Sequence, residues 1–391
     1  MTTNKNILIS GAGITGLTLA YWLQIWGFSP TIVEKRSNLE ERGYLIDFYG
    51  SGYDVAEKMG LLESLQAKSD QYGFTRVSFV DENGKERAVL DMVKFRTLLH
   101  QRYFPLMRGD LESAIYELVK NNVPIRFGVS INKLESHLDG VSVDFSDGTS
   151  QVYDLVIGAD GIHSNVRNQI WGDETQFTRF LGFYVACSVI ENFFDQPDVV
   201  FGHFEPNIQA TVYAIGKNKL ATFFAFRSEA LSIHGREARM QALVDKVGNG
   251  GWVIPQLLEG TKKADEFFFD AATQIELDHW HVNRIALAGD ACQCLTLLAG
   301  QGASMGMAGA YMLAEELHKA AGDYNTAFPA YQGRLQPEIK RRQKDARGLS
   351  GSFVPKNKIE VALTHFFLNA SSLPGFSTLF AKQIGVSSLI K

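Results

Sequence analysis

An α/β fold is predicted by three features of this 391-residue chain. The first is a strand, a glycine turn and a helix at residues 6–25, followed by a second strand at 30–35. The second is another strand, glycine segment and helix at residues 284–320. Between them, residues 178–275 are rich in alternating Phe, Val, Tyr and Thr, which is typical of antiparallel strands. The chain therefore predicts a doubly wound domain with a mostly antiparallel sheet inserted into it.

Composition narrows the location and the partners. The net charge of −5 argues against nucleic acid or an anionic membrane as the main partner. Three cysteines without framework spacing indicate a reducing compartment, and Cys292 and Cys294 are too close for a usual metal knuckle, so no metal is expected. We find no signal peptide, and no apolar run approaches the length of about 20 residues that is needed to span a bilayer. A cytoplasmic location is expected.

The glycine turn "GAGITG" spells G-x-G-x-x-G after a strand and before a helix. Gly11 makes the tight turn, Gly13 lets the backbone approach a phosphate, and Gly16 lets the helix pack on the strand. Glu34 ends the next strand and can accept hydrogen bonds from ribose hydroxyls, which favours NAD or FAD over NADP. The predicted site also includes Ile14, Thr15 and Lys35.

Two later segments each place an acid beside a glycine at the end of an apolar strand. They are "DLVIGADGIHSNVR", with Asp160 and Gly161, and "RIALAGDACQ", with Asp290. Ligands bind at this edge of doubly wound sheets. The glycine-rich segment 300–309 opens a helix and can present N–H groups to a pyrophosphate or to the edge of a flavin ring. Contacts this far apart suit an extended FAD.

Over residues 5–345 the chain resembles the class A flavin monooxygenases similar to para-hydroxybenzoate hydroxylase. The resemblance rests on the G-x-G-x-x-G, D-G and G-D motifs and on "RGDL" at 108–111 between the first two. The resemblance implies a Rossmann-like FAD-binding domain. It also implies FAD contacts from the glycine turn, Glu34, Arg108, Asp160, Gly161, Asp290, Gly300 and Gly302. The segment "RGYLIDFYGSG" adds Arg42 and Asp47. The plain alternatives are a turn cap for Asp47 and an exposed arginine before a helix for Arg108.

The resemblance also implies the chemistry. NADPH or NADH reduces FAD, and the reduced flavin reacts with O₂ to give a C4a-hydroperoxide that transfers one oxygen atom to the substrate. No nucleophile–base pair is visible in the sequence, so no catalytic side chain is assigned and the flavin carries the reaction. The Phe-rich sheet is expected to shield the flavin from water.

Within this family, "EFFFDAATQIELDHWHVNRIALAGDACQ" and "GMAGAYMLAEELHKAAGDYNTAF" resemble the tetracycline destructases. The resemblance implies a polycyclic aromatic substrate, tetracycline, and hence antibiotic resistance. Substrate contacts are expected on the inserted sheet at Arg227, His203 and Gln209. The loop "CQCLTLLAGQG" departs from the family, with Gln293 at a usual histidine position and no proline, which leaves its rigidity open.

The predicted domains are 1–177 and 276–350 for FAD, 178–275 for the inserted sheet, and 351–391 for a C-terminal helical segment. "VALTHFFLNA" places Val361, Thr364, His365 and Leu368 on one helical face, either of a lid over a substrate channel or of a packing or dimer helix. The basic run "KRRQKDAR" is interpreted as a solvated helix end.

Other functions stay open. The runner-up is a class A hydroxylase of another phenolic or polyketide compound. A flavin-dependent reductase or halogenase has the same fold, but the W-x-W-x-I-P motif of halogenases is absent. A nucleotide-binding scaffold resembling the Rab escort proteins shares the turn without the D-G and G-D pair. A plain NAD dehydrogenase leaves residues 289–309 unexplained.

Overall fold

The computed structural model describes residues 3–39, 44–194, 196–296, 300–371 and 388–390. Its strands, in chain order, are β1 (Asn6–Ser10), β2 (Ser29–Glu34), β3 (Leu45–Tyr49), β4 (Arg76–Val80), β5 (Glu86–Asp91), β6 (Tyr103–Met107), β7 (Ile125–Phe127), β8 (Ile131–Ser136), β9 (Val141–Phe145), β10 (Ser150–Tyr153), β11 (Leu155–Gly158), β12 (Thr178–Glu191), β13 (Val199–Glu205), β14 (Ile208–Ala214), β15 (Lys219–Arg227), β16 (Phe267–Ile275), β17 (His281–Val282) and β18 (Ile285–Leu287).

The helices follow the same order and surround these strands. They are α1 (Ile14–Ile25), α2 (Ser51–Lys58), α3 (Leu62–Asp70), α4 (Met92–Leu98), α5 (Arg108–Val119), α6 (Asn165–Trp171), α7 (Gly235–Val247), α8 (Ile254–Lys263), α9 (Asp290–Gln293), α10 (Gly302–Lys319), α11 (Tyr324–Phe353) and α12 (Lys358–Ser371). A short 3₁₀ helix spans Glu174–Gln176. Within the described ranges, none of the helices is both long enough and apolar enough to cross a lipid bilayer.

The nucleotide-binding half is built on a six-stranded sheet in the order β17-β18-β11-β1-β2-β7. Its central pairs are parallel: Ile7 of β1 lies beside Leu155 of β11 and Pro30 of β2. β1 is a continuous apolar run because both faces of a central parallel strand are covered, and Ile7 and Ile9 are fully buried. The predicted α/β fold is confirmed, and the carboxyl ends of β1, β11 and β18 bring the three motifs to one edge.

The second sheet has seven strands in the order β16-β12-β15-β14-β13-β4-β5, and its neighbours are antiparallel except for β13 and β4. Five strands come from the predicted insert, whereas β4 and β5 come from residues 76–91, so the sheet gathers strands from two parts of the chain. The predicted domain boundaries stay a prediction.

The two faces of this sheet have different neighbours. On the outer face, the Ser188 hydroxyl lies 2.8 Å from that of Thr261 in α8. The inner face carries Cys187 and, beside it on β15, Phe223. It meets the nucleotide-binding half where the Leu45 N–H of β3 donates to the Tyr213 hydroxyl at 2.7 Å. The inner face is therefore the one that faces the predicted FAD groove.

The C-terminal helix α12 packs on the inner face of this sheet, at its β4–β5 edge. Val361 and Leu368 contact a cluster formed by Phe79, Ala88 and Phe204. The His365 ring lies 6.0 Å from the Phe204 ring. These contacts come from the helical face that the sequence predicts, and they give α12 a packing role against β4, β5 and β13.

Candidate functional site

A cavity of about 740 Å³ runs along the carboxyl edge of the parallel sheet and reaches the inner face of the second sheet. This volume lies within the range of ligand sites. Twelve of the predicted site residues line it: Gly11, Gly13, Ile14, Thr15, Glu34, Lys35, Arg108, Asp160, Gly161, Asp290, Gly300 and Gly302. Cys187 and Phe268 of the second sheet line the same cavity. Arg42 lies outside the described residues.

The glycine turn has two packed glycines and one open glycine. A Cβ on Gly16 would lie 1.9 Å from the Gly11 carbonyl oxygen, and a Cβ on Gly11 would lie 2.5 Å from that of Ala159. A Cβ on Gly13 would have as its nearest neighbour Arg108 Nη2, at 3.8 Å. Within the described residues no side chain caps the start of α1, so the N–H groups of its first turn are available to a ligand. This cradle fits the pyrophosphate of a dinucleotide.

Glu34 ties the glycine turn to β2. Its Oε2 accepts a hydrogen bond from the Ala12 N–H at 2.8 Å, and its Oε1 accepts from the Arg36 N–H at 2.9 Å. Burial acts to raise the pKa of Glu34, but these backbone hydrogen bonds and the Arg36 charge outweigh it, so the pKa is lowered. The carboxylate stays ionised and keeps lone pairs free to accept from a ribose.

Glu112 is a site residue that the sequence reasoning missed. Its side chain is 1% exposed and lies 3.0 Å from Arg36 Nη2 and 2.9 Å from Arg108 Nη1. One buried carboxylate therefore holds two guanidinium groups side by side, next to Gly13. The available signal was the i,i+4 spacing of Arg108 and Glu112 on α5. Arg108 is partly exposed and paired, and not a free surface arginine.

Asp160 is engaged by its own loop. Its carboxylate accepts from the Ser164 hydroxyl at 2.5 Å and from the Val166 N–H at 3.1 Å. Burial raises the pKa of Asp160, while these hydrogen bonds act to lower it. Gly161 follows with a φ of 81°, a conformation that side chains rarely adopt. The D-G motif thus fixes the loop that leads into α6.

Asp290 faces the cavity from the start of α9. Its side chain is exposed at the cavity surface. The surrounding protein still desolvates the carboxyl group, which raises its pKa, while the Arg108 charge acts to lower the pKa. The preceding Gly289 packs on α1, since a Cβ there would lie 2.4 Å from the Thr15 hydroxyl. Thr15 therefore joins the glycine turn to the G-D motif.

A buried arginine joins the D-G and G-D loops. Arg167 is fully buried and donates to the Ile162 carbonyl oxygen at 2.6 Å and to the Ala291 carbonyl oxygen at 2.9 Å. Its Nη2 also lies 3.4 Å from a Glu174 carboxylate oxygen. This one side chain therefore links the two loops that follow β11 and β18.

Asp47 lies in the middle of β3, so it does not cap a turn. Its Oδ1 accepts from the Tyr103 hydroxyl at 2.6 Å, and its Oδ2 would lie 4.0 Å from a Cβ on Gly300. Burial raises the pKa of Asp47, yet more than a third of its surface is exposed. Asp47 does not line the cavity, and its carboxyl group lies beside the glycine-rich loop.

The three predicted substrate contacts lie in different places. His203 is fully buried on the outer face, with Nδ1 2.9 Å from the Val80 carbonyl oxygen and Nε2 2.9 Å from Glu205. Arg227 donates to the Val354 carbonyl oxygen at 2.7 Å. Gln209 lies on the inner face, and its buried Oε1 has no hydrogen-bond partner among the described residues. None of the three lines the cavity. His203 lies on the opposite face of the sheet, whereas Arg227 and Gln209 lie on the inner face but outside the cavity.

One part of the cavity lining is an imidazole that lies between two carboxylates. His163, from the D-G loop, lies 3.1 Å from a Glu174 oxygen and 3.7 Å from an Asp270 oxygen of β16. Asp270 and Glu174 raise the pKa of His163. His163 therefore links the two halves of the protein by charge.

Across the described ranges, the histidines, cysteines and carboxylates form no group that could hold a metal ion.

The charge link at His163 is expected to make stability depend on pH. Because the folded-state pKa of His163 is raised, its contribution is complete below the ordinary pKa of about 6.5 and is lost as pH rises through the folded-state value. The free energy of unfolding in urea should differ more between wild type and His163→Gln at about pH 6 than at about pH 9. His137→Gln, at an exposed histidine, is the control. An equal difference at both pH values would contradict the assignment.

Comparison with known proteins agrees with this geometry. Residues 4–222, which include the glycine turn and the D-G motif, match the "FAD binding domain" family. An uncharacterized protein of Mycobacterium tuberculosis is 36% identical over 344 residues, 87% of this chain and 92% of the relative. A flavin-dependent monooxygenase of Legionella longbeachae is 33% identical over 362 residues, 92% of each. The solved structure of tetracycline destructase Tet(55) is similar with a TM-score of 0.86 and 29% identity, over 100% of both chains.

Proposed function

Because the chain belongs to the family of FAD-dependent monooxygenases, we propose that it uses NADPH or NADH and O₂ to oxygenate a polycyclic aromatic compound of the tetracycline class, and so inactivates it. FAD, when bound, supplies hydride acceptance and oxygen activation. The residues of the chain bind and orient the reactants and keep water out. The likeness to tetracycline destructases supports this choice of substrate class.

The observation that carries the proposal is that one cavity joins a phosphate cradle to an apolar wall. Gly13 and Glu34 line one part, and Cys187 and Phe268 line another. Cys187 and Phe268 lie opposite each other on β12 and β16, and Phe223 lies beside Cys187 on β15. A planar substrate held against this wall would lie at the ring end of the cofactor, with water excluded.

We assign the cofactor contacts from the charges and donors that line the cavity. The start of α1, with Arg108 and Arg36 held by Glu112, would bind the pyrophosphate. Glu34 would accept from the ribose of the adenosine, and Asp290 from the ribityl hydroxyls. The N–H groups near Gly300 and Gly302 would face the electron-rich edge of the ring, where they stabilise negative charge.

For the substrate we assign Gln209 first. Its Oε1 is a buried acceptor on the inner face without a partner in the described part of the chain, and a buried polar atom without a partner costs stability. Gln209 lies outside the cavity lining, so a substrate would have to extend along the inner face to satisfy this acceptor with a hydroxyl or ammonium group. Arg227 would act indirectly, by holding the chain at Val354 against the end of the same sheet.

The experiment that tests the function is NADPH and NADH consumption by the purified FAD-loaded protein in air, with and without tetracycline. The absorbance of the antibiotic, the mass of the product and hydrogen peroxide are followed together. Faster NADPH loss with a product heavier by one oxygen atom supports the proposal. Intact antibiotic would overturn the substrate class. The same measurement over a panel of phenols and other polyketides then tests the runner-up hydroxylase.

A further inference from the structure

The loop between Asp290 and α10 contains a glycine and no proline, which raises the question of what fixes it. The structure describes both of its ends, at Cys294–Thr296 and from Gly300 onward. Residues of α11 hold both ends. These residues belong to the basic run "KRRQKDAR", which the sequence analysis interprets as a solvated helix end. Arg341 is 52% exposed, but Arg342 is 10% exposed and Gln343 is buried.

Gln343 holds the first end of the loop. Its Nε2 donates to the carbonyl oxygens of Cys294 at 2.9 Å and of Ile275 at 2.8 Å. Gln274 of β16 completes the arrangement: its Nε2 donates to the carbonyl oxygens of Leu295 at 3.0 Å and of Gln343 at 3.0 Å. Two buried amides therefore link α11, β16 and the start of the loop.

Arg342 holds the second end. One guanidinium nitrogen donates to Glu338 Oε1 at 2.6 Å, and another donates to Gln301 Oε1. Gln301 stands between Gly300 and Gly302, and its Nε2 donates to the Tyr49 hydroxyl of β3 at 2.9 Å. A chain of hydrogen bonds thus runs from α11 through the glycine-rich segment to the strand that carries Asp47.

We propose that Arg342 is a positioning residue for the cofactor. Acting through Gln301, it fixes the backbone N–H groups around Gly300 and Gly302 in the place where they meet the ring of FAD. The proposal rests on the FAD contacts assigned under the proposed function. Hydrogen bonds to a charged group are stronger than neutral ones, so this link resists displacement of a segment rich in glycine.

The test compares Arg342→Gln with Arg341→Gln, a neighbouring arginine on the same helix that pairs with the exposed Asp345 and shares the partly buried Glu338 with Arg342, so it removes the pairing with Glu338 and leaves the hydrogen bond to Gln301. We expect Arg342→Gln to weaken FAD binding about tenfold, which is the effect of one lost charged hydrogen bond. We also expect a shifted visible spectrum of the bound flavin and a changed reduction potential. Arg341→Gln should match wild type in all three.

Gln301→Ala alone removes the partner through which Arg342 acts and should weaken FAD binding about as much as Arg342→Gln, so the proposal stays testable even where Arg342→Gln does not fold. If Arg342 acts through Gln301, the double variant should lose no more FAD affinity than Arg342→Gln alone. Additive losses, or an Arg342→Gln protein whose FAD affinity and spectrum equal those of Arg341→Gln, would overturn the inference. These readouts need no substrate, so a wrong substrate class leaves them unchanged, whereas a wild type that binds no FAD would refute the proposed function itself.

Discussion

Replacing Gly16 with alanine is expected to abolish FAD binding and to lower the stability of the protein without the cofactor. The added Cβ would lie 1.9 Å from the Gly11 carbonyl oxygen, which belongs to the backbone and cannot rotate away. The turn must open, so α1 moves away from the sheet and its N–H groups no longer point towards the phosphate. The measurements are the flavin absorbance of the purified protein and urea unfolding of the apoprotein.

Gly13→Ala separates the two roles of the turn. Its Cβ would have 3.8 Å to the nearest protein atom, and the φ of −77° suits alanine, so the apoprotein should unfold as wild type does. FAD binding should still weaken, because the methyl group projects where we place the pyrophosphate. A Gly16→Ala protein that keeps both its flavin and its stability would contradict the packing argument, and a Gly13→Ala protein with normal FAD affinity would move the pyrophosphate elsewhere.

Replacing Arg167 with methionine should cost about 2–4 kcal/mol of unfolding free energy. The side chain keeps its approximate length, but the carbonyl oxygens of Ile162 and Ala291 lose their donor, and an unsatisfied buried polar group costs about 1–3 kcal/mol. FAD affinity should fall as well, since the D-G and G-D loops lose their link. Urea unfolding of the apoprotein and fluorescence titration with FAD measure the two effects.

The matched control is Arg179→Met, which removes an exposed arginine that lies 3.5 Å from Glu276. A surface ion pair contributes about 0–1 kcal/mol, so this variant should unfold nearly as wild type does. If Arg167→Met were as stable as Arg179→Met, the link between the two loops would not be supported by Arg167.

The sequence alone determined the fold class and the cofactor-facing backbone. Gly11, Gly13 and Gly16 could be assigned because the requirements of a tight turn are local, and the structure places a backbone atom where two of the missing side chains would be. Asp160 and Asp290 could be placed at one edge because the carboxyl ends of neighbouring parallel strands meet there. Such spacing rules need no knowledge of how the layers pack.

Only the tertiary structure decided which side chains act together. Glu112 meets Arg36 across 76 residues of sequence, and Arg342 meets Gln301 across 41. The sequence placed His203 and Gln209 on the same sheet, and the register of β13 and β14, in which Gln209 pairs with Phe204, decided that they point to opposite sides. The basic run on α11 is a second example, because the sequence does not distinguish Arg341 from Arg342, whereas in the structure Arg341 is exposed and Arg342 is mostly buried. Local spacing fixes backbone conformation, whereas contacts between distant side chains depend on which surfaces the packed layers cover.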